Sequence, residues 1–226
     1  MKIKFKDFNE ADGLFAGGLS AQWVDVNNSL LAMPLQLKPS DQSGKEGEPI
    51  FDPVASNAEI KTALQGKGWN INVEIPQKVN FLGKHVDFFK DGVLVEVQFS
   101  NYPFFLNNVV RSGLLAKSET LLSGQKVRAV VIITKAHLFP SSNSTLYYEQ
   151  AIRQLEAFTK YGVFDIPIRV VGLHEDENTL VSAKWHEYPN RYSRVPSSSM
   201  DKQCKLLRKD GKRSLCSITF EQTSLP

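Results

Sequence analysis

Apolar residues change their spacing several times along the 226-residue chain, and each change marks an expected element. Near the start, Trp23, Val26, Leu30 and Leu31 recur close to helical spacing, which predicts a helix within the first thirty-odd residues. The stretch KPSDQSGKEGEP, rich in Gly, Pro and Ser, predicts a loop. In SNAEIKTALQGKG, Ser56 and Glu59 stand in capping-box register, Ile60, Ala63 and Leu64 make one face, and Gly66 can end the helix. From Asn72 to Phe99 the pattern turns to strands. Two such runs flank Lys90-Asp91-Gly92, and Asp-Gly between β-rich runs signals a hairpin. Pro103 then breaks the strand and opens a helix through NNVVRSGLLAKSETLL. VRAVVIIT and IPIRVVGL are continuous apolar runs, as expected of strands buried on both faces. Between them, SNSTLYYEQAIRQLEAFTKYG is the clearest helix, with Asn143 or Ser144 as its cap, Leu146, Ile152, Leu155 and Phe158 recurring along it, and Gly162 just past its end. After about Val195 the pattern fades, and PSSSMDKQCKLLRKDGKRS reads as loop or a weak appendage.

Helices interleaved with strands, and a hairpin feeding central strands, predict an α/β fold with one mixed central sheet flanked by helices. The length and the 42% hydrophobic share suit one globular domain with a real core. That domain is expected over residues 1–194, with a C-terminal basic segment over 195–226. No apolar run reaches the ~18 residues a membrane span needs, and MKIKFKDFNE lacks the apolar stretch of a secretory signal. Cys204 and Cys216 show no metal-ligand spacing, so a reduced, cytoplasmic protein is expected. The net charge of +3 is unevenly spread, with Lys184, Arg191, Arg194, Lys202, Lys205, Arg208, Lys209, Lys212 and Arg213 crowding the end of the chain. Such a segment can track phosphates or simply be solvated, and charge alone leaves both open.

The chemistry concentrates in FFKDGVLVEVQFSNYPF. Val93, Val95, Val97 and Phe99 share one face of the strand, while Leu94, Glu96 and Gln98 share the other. A carboxylate in so β-rich a run is either at a solvated edge or held inside for chemistry. Asp87 precedes the turn, and an antiparallel hairpin sets its arms about 4.7–4.9 Å apart, so Asp87 and Glu96 can converge. Two carboxylates with a strand carbonyl, water and substrate phosphate oxygens make a plausible Mg²⁺ site. Gln98 can orient a water but is neither acid nor base. Asp, a short gap, then Glu-x-(Lys/Gln) is the pattern of PD-(D/E)xK nucleases, although an edge strand with a solvated acid and amide fits the same letters.

The surrounding residues are more specific. LVEVQFSNYPF, followed by LNN and VRS, closely resembles the BglII-type restriction endonucleases. So do IFDPV, FLG, LYYEQA, PIR, VGL and RYSR, collinearly over most of residues 1–194, and the likeness fades after Arg194. The resemblance implies a PD-(D/E)xK restriction endonuclease-like core with an additional C-terminal segment. It implies a type II enzyme that uses Mg²⁺ to hydrolyse double-stranded DNA at a palindrome, AGATCT or a site sharing its GATC centre, leaving four-base 5′ ends. Cutting both strands of a palindrome calls for a two-fold homodimer.

By that resemblance Asp87 and Glu96 are the active-site acids. Asp87 and the Val97 carbonyl look like direct metal ligands, with Glu96 helping to hold or orient water on the metal. Gln98 stands where most of the superfamily has lysine, a replacement the BglII type shares. Asn72 matches a further active-site position near the attacking water, with an ordinary turn asparagine as the other reading. Ser100, Asn101, Asn143, Ser144, Tyr192 and Arg194 look like base or base-adjacent contacts, and Arg111 like a contact from the following helix. Two departures stand out. Lys84-His85 replaces a Thr-Asp ahead of Asp87, removing an acid and raising His85 as a rival ligand beside the packing or surface histidine reading. Asn190 replaces a lysine near Tyr192, which leaves the outer base pairs less determined than the centre. Two alternatives follow: a DNA-binding relative that has lost cleavage, and a repair or recombination nuclease on the same core.

Overall fold

The longest apolar runs become the middle of a sheet. In this computed structural model, which describes residues 1–140, 146–209 and 216–221, the chain opens with β1 (Lys2–Phe8), α1 (Ala11–Ala16), α2 (Ser20–Ala32), β2 (Leu35–Pro39), β3 (Pro49–Phe51) and α3 (Pro53–Gln65). It continues through β4 (Asn70–Glu74), β5 (His85–Lys90), β6 (Val93–Val97), α4 (Tyr102–Lys117) and the short pair β7 (Leu121–Leu122) and β8 (Gln125–Lys126). It closes with β9 (Ala129–Lys135), α5 (Tyr148–Lys160), β10 (Ile168–His174), β11 (Leu180–Glu187), β12 (Ser198–Arg208) and β13 (Cys216–Phe220). The first sheet runs β1-β10-β9-β6-β5-β4, with β10, β9 and β6 parallel and the flanking pairs antiparallel. This is the mixed, helix-flanked sheet expected from the sequence. A second sheet, β13-β12-β11-β2-β3, was not expected.

Two cores divide the first sheet by face. Val93, Val95, Val131, Ile133, Val171 and Leu173 pack with the second sheet and the N-terminal helices. Leu94, Val130, Ile132 and Val170 pack under α4 and α5 through Phe105, Val109, Ile152 and Leu155. β6 therefore has apolar packing on both faces and a hydrogen-bonded strand on either side.

Several expectations are corrected. The chain begins with a strand, and the first helical stretch follows it. β1 alternates Lys2, Lys4 and Lys6 with Ile3 and Phe5, a lysine-rich pattern that suits an edge. Arg169 pins that edge: two bonds of 2.7 Å tie it to Asp7, and its guanidinium lies 4.3–4.6 Å from the rings of Phe5, Phe15 and Trp23. α3 starts at Pro53, ahead of the Ser56 cap, because the Asp52 carboxylate accepts from the Val54 and Ala55 amides and Pro fits the first turn. α4 ends at Lys117, and Leu121 and Leu122 turn into β7. α5 starts at Tyr148 with Tyr147 in the cap position, while Asn143 and Ser144 lie outside the described residues. Finally, the expected appendage contains β12, which pairs with β11, and β13, which pairs with β12, so the second sheet takes strands from both sides of residue 194.

No helix among the described residues is long and apolar enough to cross a membrane.

Candidate active site

The hairpin turn fixes the register that brings the acids together. Asp91 and Gly92 both take positive φ, 48° and 86°, as a two-residue type I′ turn requires. From there Lys90, Phe89 and Phe88 pair with Val93, Leu94 and Val95. One step further along the same register, Asp87 stands opposite Glu96. Since β6 runs between β5 and β9, Glu96 is an interior residue, 2% exposed, and the solvated-edge reading fails for it.

Each side chain is held from several directions. Asp87 Oδ2 accepts the Val97 amide at 2.8 Å, which uses the N–H that would otherwise continue the β5–β6 ladder. Glu96 Oε1 accepts from Arg111 Nη2 at 2.6 Å. The same guanidinium donates to Asn108 Oδ1 at 3.0 Å and to the Leu82 carbonyl at 3.3 Å. Asn108 and Arg111 lie one turn apart on α4, so both reach the same side of the helix. Asn108 Nδ2 donates to Gln98 Oε1 at 3.2 Å, and Gln98 Nε2 donates to Ser100 Oγ. Glu96, Arg111, Asn108, Gln98 and Ser100 thus form one hydrogen-bonded chain beneath Asp87. Asn72 stands opposite Asp87 in the β4–β5 register, between the pairs Ile71–Phe88 and Val73–Val86, but its φ of 47° takes it out of the ladder. It is a strand residue in a left-handed conformation, a strained state that asparagine tolerates better than most residues.

The electrostatics leave this cluster one positive charge short. Burial pushes the Asp87 carboxyl up, outweighing the Val97 amide and Arg111. Burial and the neighbouring Asp87 charge push Glu96 up to about 8, despite the Arg111 guanidinium on it. Two acids facing one guanidinium keep both charges only if another cation joins them; otherwise the pair retains a proton. The Arg111 Nε is also a buried donor without an acceptor. Among the described residues no third His, Cys, Asp or Glu completes a metal-binding group. A divalent cation therefore fits here as a two-carboxylate ion whose remaining ligands are backbone, water and substrate oxygens. His85, the rival ligand, is exposed and pairs across the strands with Glu74.

The pH dependence follows with a definite sign. A carboxyl raised to about 8 in the fold holds a proton that the unfolded chain has already released, so the native state loses stability as pH rises from the ordinary carboxylate range through about 8. A divalent cation bound at this pair would replace that proton. Without divalent cations the melting temperature is expected to fall from pH 5.5 to 8.5 in a thermal-denaturation series. Added Mg²⁺ is expected to restore more of it at pH 8.5 than at pH 5.5, and Glu96→Gln to flatten the cation-free slope.

The connection between β4 and β5 presses on the same arginine. Asn107 Nδ2 and Arg111 Nη1 both donate to the Leu82 carbonyl. At the next residue, Gly83 (φ +133°), a Cβ would lie 2.4 Å from Arg111 Nη1. Gly83→Ala therefore drives the guanidinium off Glu96. Cleavage is expected to fall about 10²-fold, the scale of a misplacement near 1 Å, with little change in DNA affinity. Single-turnover rates beside filter binding in Ca²⁺ check this.

The expected reading residues are placed less tightly. Ser100 and Asn101 lie between β6 and α4, Asn101 in the α4 cap position. Tyr192 and Arg194 are exposed in the connection between β11 and β12 of the second sheet. Arg111, expected to reach DNA, is turned inward and buried. Asn108 was missed altogether. Its signal is a polar pair at helical spacing, 108 and 111, inside an otherwise apolar helix face.

Comparison with known proteins identifies the family and the fold. The family description "Restriction endonuclease BglII/BglIII" matches residues 3–173. The type II restriction enzyme BglII of Bacillus subtilis is 49% identical over 196 residues, 86% of each chain. The crystal structure of BglII complexed with a DNA 16-mer superimposes with a TM-score of 0.92 at 44% identity, covering 98% of this chain and 100% of that one. The free BglII structure gives 0.76 at 40% identity over the same shares.

Proposed function

Because the chain belongs to the BglII/BglIII restriction endonuclease family, we propose that it is a Mg²⁺-dependent type II enzyme cutting both strands of DNA at AGATCT, or at another palindrome centred on GATC, to leave four-base 5′ ends. The observation that carries the chemistry is the pairing of half-buried Asp87 with buried Glu96 across the hairpin, with a single guanidinium bonded to Glu96. Asp87, Glu96 and the Val97 carbonyl would hold the cation. When bound, it neutralises charge at the scissile phosphate and acidifies water.

The chain's own residues do the rest. Asp87 keeps one oxygen on the Val97 amide and presents the other. Arg111 keeps Glu96 aimed and supplies the fixed positive charge beside the acids that lysine supplies in most of the superfamily. Gln98 neither gives nor takes a proton; it ties Asn108 to Ser100, so the catalytic strand and the first reading residue move together. Asn72, opposite Asp87, orients the incoming water. Ser100, Asn101, Asn143, Ser144, Tyr192 and Arg194 read or approach the bases, where a good bidentate pair contributes about 1–3 kcal/mol of discrimination.

Two equivalent sites call for a homodimer. Phe104 and Val110 on α4, with Phe81 in the β4–β5 connection, are exposed apolar side chains suited to that contact. A reduced cytoplasmic setting suits the two free thiols, Cys204 and Cys216.

Plasmid digestion with Mg²⁺ tests the reading. Discrete fragments support it. Smearing or nicking would mean a structure-directed nuclease, and specific binding without cleavage in any divalent cation would mean a relative that kept the fold and lost the chemistry.

A further inference from the structure

The β11–β12 connection, residues 188–197, is long for a hairpin loop and carries Tyr192, 85% exposed, and Arg194. A connection without strand pairing takes its direction mainly from its roots; near the tip Arg191 adds an exposed ion pair to Asp41 at 3.1 Å. Here one root is ordinary: the Ser197 amide donates to the Glu187 carbonyl at 2.7 Å, closing the loop where the strands part. The other is unusual. Tyr188, the first residue past β11, donates its hydroxyl to Asp52 Oδ2 at 2.6 Å. Asp52 is fully buried, and its second oxygen already accepts the Val54 and Ala55 amides at 2.9 and 3.2 Å. The acceptor is thus fixed by the first turn of α3 and cannot follow the loop.

The strand beneath is locked on the same side. His186 Nε2 lies 2.6 Å from Gln36 Oε1 on β2, and Nδ1 lies 2.8 Å from Ser199 Oγ on β12. His186, Tyr188, Gln36 and Ser199 line a cleft of about 240 Å³ that Arg194 also lines, so the arm folds back against its own anchor. At the tip, Asn190 sets the turn by accepting the Tyr192 amide on its side chain at 3.0 Å.

We propose that Tyr188, through the Asp52 carboxylate, is a positioning residue that aims the arm carrying Tyr192 and Arg194 at the DNA, and so sets discrimination without taking part in the chemistry. The inference rests on the reading of Tyr192 and Arg194 as base contacts. Burial and the Asp52 charge both push the phenol up, so it stays a donor at any working pH.

The test compares the unaltered protein with Tyr188→Phe, Tyr192→Ala and Arg194→Ala. Each is measured on a duplex bearing AGATCT and on duplexes altered at one outer or one central pair, with melting temperatures alongside. Tyr188→Phe is expected to raise KM about tenfold, the scale of one bond to a charged acceptor. It should narrow the preference for the cognate duplex by a similar factor, with kcat unchanged within about twofold. Asp52→Asn, which still caps α3, is expected to show the same split in weaker form. If Tyr192→Ala or Arg194→Ala loses discrimination while Tyr188→Phe behaves as wild type, the positioning role is overturned and the reading role stands. If neither tip variant alters discrimination, the reading role itself fails and the inference with it. A Tyr188→Phe protein that loses kcat and melting temperature together would make the tyrosine a structural residue only.

Discussion

Asp87→Asn is expected to lose cleavage by at least about 10³-fold while keeping sequence-specific binding. The substitution preserves shape, and the amide oxygen can still accept the Val97 amide that Oδ2 accepts at 2.8 Å, so the hairpin stays closed. What is lost is the charge. With Asp87 neutral, Glu96 and Arg111 balance, and the cluster no longer needs a further cation. Since the Asp87 charge is one of the forces raising Glu96, its removal also lets Glu96 ionise more easily. The variant should therefore be at least as stable as the wild type at pH 8 without divalent cations. A variant that folds, binds and is dead is the expected phenotype. Full cleavage by Asp87→Asn would remove Asp87 from the site.

Arg111→Met has the other large effect, on stability as well as cleavage. Arg111 is buried, and its guanidinium bonds Glu96, Asn108 and the Leu82 carbonyl together. Removing it strands Glu96 in an apolar site facing another acid. Breaking one side of a buried ion pair costs about 3–5 kcal/mol. The cost should be largest at pH 8 and smaller at pH 6, where Glu96 takes a proton instead. The double variant Glu96→Gln/Arg111→Met removes both charges and is expected to recover most of the lost stability while remaining inactive. Urea denaturation of the four proteins at pH 8 gives the coupling directly. A double variant no more stable than Arg111→Met would show that the arginine does not neutralise Glu96.

How much of this was legible in the sequence depended on distance along the chain. The hairpin was legible because turn chemistry and alternation are local, and Asp91-Gly92 with the valines of β6 leaves one register. The buried strands β9 and β10 announce themselves by unbroken apolar runs. β1 was obscured because an edge strand shields itself with lysines, and its anchor, Arg169, lies far along the chain. β12 carries few apolar residues, since Cys204 and Leu206 are its main contribution to the core, and its partners are set by tertiary packing. In the site, the convergence of Asp87 and Glu96 follows from the hairpin alone. The Arg111–Glu96 bond does not, because a charged residue in an apolar helix face has no partner until α4 docks on the sheet. Asn108 was hidden for the same reason.

The most direct measurement is cleavage of a synthetic duplex carrying AGATCT by the purified protein with Mg²⁺, with both strands end-labelled and the cut positions read at nucleotide resolution. The account predicts one cut per strand, placed symmetrically to leave a four-base GATC 5′ end, and none for Asp87→Asn. Cuts that ignore the palindrome, or equal cutting by the Asp87→Asn protein, would contradict it.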